Sequence, residues 1–211
     1  IWLTLASKLP SEKVFLSKDV QRISTERKKI FFSDGSSDEY DILISTIPLT
    51  NLLRLSGSDC VHPSSESGES LKYSSSHIVG LGLKGKAPDH LREKCWIYFP
   101  EDNCPFYRVT VFSNYSPNNV PDGDNTWSLM LEVSESPAKL VDTSRVVDDV
   151  IDGAINTRLI VDRKQVIDTW YNFVQKGYPT PSLERNSILF PLLEKMEKLG
   201  IYSRGRFGAW R

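Results

Sequence analysis

Cys95-Trp96-Ile97-Tyr98-Phe99 and Tyr107-Arg108-Val109-Thr110-Val111-Phe112-Ser113 flank the turn-rich run Pro100-Glu101-Asp102-Asn103-Cys104-Pro105-Phe106. Aromatic and β-branched residues favour strands, and Pro, Asn and Asp favour turns. The stretch therefore reads as two strand-like runs that a hairpin would bring side by side. Working outward, His77 to Leu83 and Thr126 to Val133 are further strand-like runs, the second preceded by the turn-rich Ser116 to Asp124. Together the four runs predict an antiparallel sheet with long loops.

On the C-terminal side, Val146, Val147, Val150, Ile151, Ala154 and Ile155 recur at helical spacing. They predict a helix capped by Thr143 or Ser144 and running to about Leu159. Val166 to Val174 reads as a returning strand, and Leu189 to Leu199 as an amphipathic helix closed by Gly200. On the N-terminal side, residues 1–9 read as a helix tail stopped by Pro10. A meander of strand-like runs follows, with Val14-Phe15-Leu16, Val20 and Ile23, then Lys29 to Phe32, and a turn at Asp34-Gly35. Tyr40 to Thr46 reads as a buried strand because its apolar run is continuous, and Leu49 to Leu55 as a short helix. The Ser-, Glu- and Gly-rich residues 56–76 read as a loop or domain crossing.

The 211 residues allow one large or two small domains. Lys+Arg 26 against Asp+Glu 27 leaves a net charge of −1. That balance argues against a nucleic-acid partner, which needs a dense basic face, but not against a small anionic ligand. No apolar run is long enough for a transmembrane helix, so no membrane partner is expected. Cys60, Cys95 and Cys104 form neither a disulfide framework nor a zinc spacing. They read as free thiols in a reducing compartment, which points to the cytoplasm. His62, His77 and His90 lack metal spacing and read as surface or loop residues, with no metal site.

Gly80-Leu81-Gly82-Leu83-Lys84-Gly85 matches G-x-G-x-x-G, but Lys86-Ala87-Pro88-Asp89-His90 does not continue as the helix that would hold a pyrophosphate. The glycines read instead as sites of close packing in a strand. Trp96 and Tyr98, two apart, share one face of a strand, and a hairpin would bring Arg108 to that face. Aromatic faces beside a guanidinium fork suit a nucleotide or diphosphate. The competing reading is an ordinary hairpin with Trp96 in the core and Arg108 on the surface. Gly177-Tyr178-Pro179-Thr180-Pro181 is a Pro-braced loop that presents a tyrosine, or else a plain helix entry. Arg206, between Gly205 and Phe207-Gly208, sits where backbone could approach a ligand closely, or else in an exposed basic tail.

Trp96 to Arg108, followed by Val111 to Pro117, closely resembles the corresponding segment of eukaryotic-type UDP-galactopyranose mutases. Gly177 to Pro181 and Ser203 to Arg211 match in the same order, and Tyr40 to Pro48 resembles a late strand of the flavin domain in the wider flavin amine-oxidoreductase class. The resemblance implies an isomerase of galactofuranose biosynthesis and cell-wall glycan assembly. It would interconvert UDP-galactopyranose and UDP-galactofuranose through a covalent adduct between the sugar and N5 of reduced FAD, with NADPH as reductant. It also assigns roles. Arg108 and Arg206 would be the catalytic arginines that hold the diphosphate, and Tyr178 would bond the phosphates. Trp96 and Tyr98 would line the substrate cleft, and Val20 would contact FAD.

The fold class that follows is α/β overall and α+β within this fragment. Residues 1–60 would form the C-terminal part of a Rossmann-like FAD domain. Residues 61–142 would form an antiparallel-sheet substrate domain, and 143–211 the helices and strand that complete the substrate side. The glycine-rich flavin fingerprint of the family precedes the segment represented, so the expectation is a partial chain, inactive by itself. A homo-oligomer is compatible with the sequence. Two rival readings are a flavin amine-oxidoreductase relative with another substrate and a non-catalytic nucleotide-sugar-binding module.

Overall fold

The computed structural model describes residues 2–57 and 71–211. Cys60, His62 and most of the Ser-rich stretch lie outside the described residues. In chain order the elements are α1 (Trp2–Ala6), β1 (Val20–Ser24), β2 (Lys29–Phe32), β3 (Ser37–Glu39), β4 (Leu43–Ser45) and α2 (Leu49–Ser56). Then come β5 (Tyr73–Lys84), β6 (Trp96–Tyr98), β7 (Arg108–Val111), β8 (Thr126–Glu135), α3 (Val146–Asn156), β9 (Val166–Pro179), α4 (Arg185–Lys198) and β10 (Ile201–Ser203). They fall into two compact units: residues 1–72 with 179–211, and residues 73–178. The end of the chain thus returns to the unit formed by its beginning.

The unit of residues 73–178 is built on a five-stranded sheet of order β6-β7-β8-β5-β9. The β6–β7, β7–β8 and β8–β5 pairs are all antiparallel. The period of two along β8 sets its two faces. Trp127, Leu129, Leu131 and Val133 are buried, while Ser128, Met130 and Ser134 alternate with them on the other side. Val79, Leu81 and Leu83 of β5 and Val109 and Val111 of β7 join the same buried face. Helix α3 covers it with Val146, Val150, Ile151 and Ala154, a stripe at helical spacing.

Several expectations are corrected. The strand β5 begins at Tyr73, so residues 73–76 are sheet rather than loop. Arg145 is the boundary residue of α3 and no side chain caps the helix; the Ser144 hydroxyl is taken up by Asp142 at 2.6 Å. His77 is fully buried rather than superficial. It shares the inward parity of Val79 and Leu81, and its polarity is met on both ring nitrogens, by Tyr171 at 2.9 Å and Glu135 at 3.0 Å. His90 is exposed. Gly80 and Gly82 behave as close-packing residues. A Cβ at 80 would meet Trp170 Cβ at 3.4 Å and one at 82 would meet Asp168 Cβ at 3.2 Å, both on neighbouring β9.

In the other unit, β1, β2 and β3 form an antiparallel meander, and β4 pairs in parallel with β10. Val14-Phe15-Leu16 is not a strand: among the described residues it pairs with nothing in the sheets, and Ser17 beside it takes φ +58°. The run Tyr40 to Thr46 shortens to Leu43–Ser45 and is not buried, since Ile42 and Ile44 are 64% and 69% exposed. A continuous apolar run is buried only where both sheet faces are covered, and among the described residues this sheet has two strands. Helix α4 starts at Arg185, earlier than its apolar stripe of Leu189, Leu192 and Met196. It ends ahead of Gly200, whose φ of +76° a side-chain-bearing residue would adopt only with strain. The fold is therefore mixed, with an antiparallel sheet in one unit and a parallel pair in the other, as the sequence predicts.

Packing in the sheet unit is tight under α3. A Cβ at Gly153 would stand 2.7 Å from Pro105 Cδ and 3.1 Å from both Cys104 Cβ and Phe106 Cε1. Gly153→Ala gains about 1 kcal/mol of helix propensity, but overpacking of this kind costs about 1–3 kcal/mol. The variant should unfold at lower urea than the parent; an unchanged or higher midpoint would show that the helix has room to move.

Candidate functional site

The outward face of the sheet carries the polar constellation. Tyr98 pairs with Arg108 and Trp96 with Thr110 across β6 and β7, and Arg108 pairs in turn with Glu132 on β8. Directly paired residues project on one face. Since Val109 and Val111 point into the core, Trp96, Tyr98, Arg108 and Glu132 all point away from it. Trp96 and Tyr98 are 54% and 59% exposed, so Trp96 is not a core residue.

Arg108 is gripped from behind by Glu132. Its Nε donates to Oε1 at 2.7 Å and its Nη2 to Oε2 at 2.8 Å, a two-pronged pairing. The Tyr107 hydroxyl donates a further bond to Glu132 Oε2 at 2.8 Å. In front, Arg108 Nη2 donates to the Tyr178 hydroxyl at 2.6 Å. The Arg108 side chain keeps 25% of its surface while that of Glu132 keeps 5%. Burial opposes the charge on Arg108, but bonds to Glu132, Tyr98 and Tyr178 outweigh it and hold its pKa above the ordinary guanidinium value. Tyr107 is pushed well above the ordinary phenol value, first by burial and then by its bond to Glu132.

Tyr178 reaches Arg108 because β9 closes tightly on the start of β5. A Cβ at Gly177 would collide with Ser76 Oγ and lie 3.0 Å from Ser76 Cβ. Only glycine fits there, and the next residue is thereby drawn to the sheet. The structure thus brings three of the sequence-derived candidates, Tyr98, Arg108 and Tyr178, into one cluster, with Trp96 on the same face.

Arg206 and Val20 belong to the other unit. Arg206 is exposed on a turn held by several bonds within that unit. Leu49 N donates to Phe207 O at 3.0 Å, Arg185 Nε donates to Trp210 O at 2.7 Å, and Trp210 Nε1 donates to Lys72 O at 3.1 Å. Val20 opens β1 and is half-buried. Sequence reading missed Glu132 and Tyr107. The available signal was a single carboxylate inside the otherwise uncharged run Thr126 to Val133.

Cys95 and Cys104 are free thiols. Among the described residues no group of three or more His, Cys, Asp or Glu could hold a metal ion, and no helix is long and apolar enough to cross a membrane.

No family model matches the chain. Among solved structures, a reduced UDP-galactopyranose mutase superposes over 100% of the chain with 44% sequence identity and a TM-score of 0.90. By sequence and fold, the chain belongs with the UDP-galactopyranose mutases. It spans 45% of the length of that mutase. More distant likenesses show the shared fold alone. A candidate protoporphyrinogen oxidase from Exiguobacterium sp. 255-15 matches 90% of the chain and is covered over 42% of its own length, at 17% identity and TM-score 0.65. A fatty acid isomerase from P. acnes that produces CLA matches 91% and is covered over 44%, at 15% identity and TM-score 0.59.

The raised pKa of Tyr107 has a consequence for alkaline stability. In the unfolded chain the phenol ionises near pH 10, whereas in the folded unit it stays protonated to higher pH. Its contribution is complete below about pH 10 and is lost as pH rises further. Tyr107→Phe should cost about 1 kcal/mol at neutral pH through the lost hydrogen bond and should show a shallower fall in stability above about pH 10. Urea titrations at about pH 8 and 11 compare the two proteins; parallel falls would show that Tyr107 ionises normally.

Proposed function

We propose that this chain contributes the substrate-facing wall of a UDP-galactopyranose mutase, which interconverts UDP-galactopyranose and UDP-galactofuranose. The observation that carries the proposal is the fixed Arg108, with Tyr98 and Tyr178 around it. The likeness to a reduced UDP-galactopyranose mutase supplies the substrate class. In this reading the sheet unit, residues 73–178, is the substrate side, and the other unit is the flavin side.

The residues have definite tasks in such a reaction. When the bond between sugar and UDP breaks, negative charge grows on the diphosphate. A cation already fixed in place stabilises that charge without reorganising at the moment of reaction. Arg108 supplies the cation and Tyr178 a second polar contact. Held by them, UDP stays close enough to return. Trp96 and Tyr98, exposed beside Arg108, offer apolar faces to the nucleotide or sugar. Arg206 is the second arginine proposed for the diphosphate.

Reduced FAD, with NADPH as the reductant, would supply the nucleophile that holds the sugar while its ring opens and recloses. The described residues do not fit a pyrophosphate cradle for it. The glycines of Gly80 to Gly85 pack a strand against Trp170 and Asp168 rather than opening a helix. Val20 remains the proposed FAD contact in this chain.

UDP binding to the purified protein, measured by calorimetry, tests the reading directly. Arg108→Ala should weaken UDP binding at least about tenfold, as expected for loss of a fixed charged partner. Equal UDP affinity in parent and variant, or no UDP binding by the parent, would overturn it.

A further inference from the structure

We infer that Glu132 is the positioning residue for Arg108, setting the guanidinium in the one orientation in which it can receive a diphosphate. The inference rests on the reading of Arg108 as the phosphate-binding arginine and deepens it.

A carboxylate that is almost wholly buried is costly unless it is paired and hydrogen-bonded. Sheet packing alone does not call for one at this position. Glu132 is flanked along β8 by the buried Leu131 and Val133, and its outward neighbour two residues earlier is Met130. A pairing of this kind is often no more stabilising than well-packed apolar residues, so its value lies elsewhere. Both Glu132 oxygens are used. Oε1 takes Arg108 Nε, and Oε2 takes Arg108 Nη2 together with the Tyr107 hydroxyl. Two bonds to one planar group fix its plane as well as its place. Tyr107, half-buried and itself held as a phenol, keeps the carboxylate from turning.

The arrangement has a back and a front. Behind the guanidinium lies the carboxylate at 5% exposure; the arginine itself keeps 25% and meets Tyr178 on the open side. Glu132 also cancels the charge of Arg108 in the absence of ligand. If net charge alone governed anion binding, removing that carboxylate would tighten it. If orientation governs, removing it loosens binding even though the site becomes more positive. The two accounts predict opposite signs.

The test is UDP affinity in four proteins: parent, Glu132→Gln, Arg108→Ala and the double variant. Glu132→Gln keeps the shape and removes the charge. It should weaken UDP binding about tenfold in the parent and leave affinity unchanged in the Arg108→Ala background, the signature of a residue that acts through its partner. Should Glu132→Gln fail to fold, Tyr107→Phe removes a single bond to the same carboxylate. It should weaken UDP binding about threefold, again only where Arg108 is present. Tighter binding, unchanged binding, or equal losses in both backgrounds would overturn the inference. If Arg108→Ala itself leaves UDP affinity intact, the failure belongs to the underlying reading of Arg108.

Discussion

The two-residue period of β8 is the constraint on which the sheet unit depends. It sends Trp127, Leu129, Leu131 and Val133 into the core and leaves Glu132 on the opposite face. Because β7 and β5 are registered against β8 residue by residue, they inherit its division. A slip of one residue would turn Arg108 into the core and Val109 out of it. The hydrophobic driving force for burying the odd positions is therefore also what aims the arginine. Burial of each such side chain is worth about 1.5–3 kcal/mol, so register is enforced by the sum of several, not by the polar cluster itself.

The cluster shows how a sheet can offer a cation without relying on a loop. Arg108 and Glu132 come from paired strands, Tyr107 from the residue just before β7, and Tyr178 from the end of a third strand pressed against Ser76. Each group is limited to small displacements by its backbone. Such rigidity is what electrostatic stabilisation of a developing charge requires, since dipoles and charges that must first reorient give back much of their benefit.

Much of this was legible in the sequence. Alternating strands and the helical stripe of α3 are local patterns, and local patterns survive into the structure. The Trp96, Tyr98 and Arg108 spacing was readable because antiparallel pairing is the simplest consequence of two strands around a turn. What was not legible depends on distant partners. Glu132 gains its meaning only from its register with Arg108, and His77 is buried only because Tyr171 and Glu135 meet its two nitrogens. The run Tyr40 to Thr46 failed in the opposite direction. Its composition suits burial on both faces, but coverage of a face is a property of the assembly, not of the run.

The parallel pairing of β4 with β10 joins Leu43 to Ile201, on either side of the entire sheet unit. In energy such a separation is tolerable, because each doubling of a closed loop costs only about 0.6 kcal/mol. In time it is restrictive. During synthesis the strand Leu43–Ser45 leaves the ribosome long before its partner exists, while residues 73–178 are continuous and can collapse as soon as they emerge. The β4–β10 pair can then close only after residues 73–178 have been made, and until it does, the edge of Leu43–Ser45 that β10 covers is an open strand edge of the kind that invites association between nascent chains.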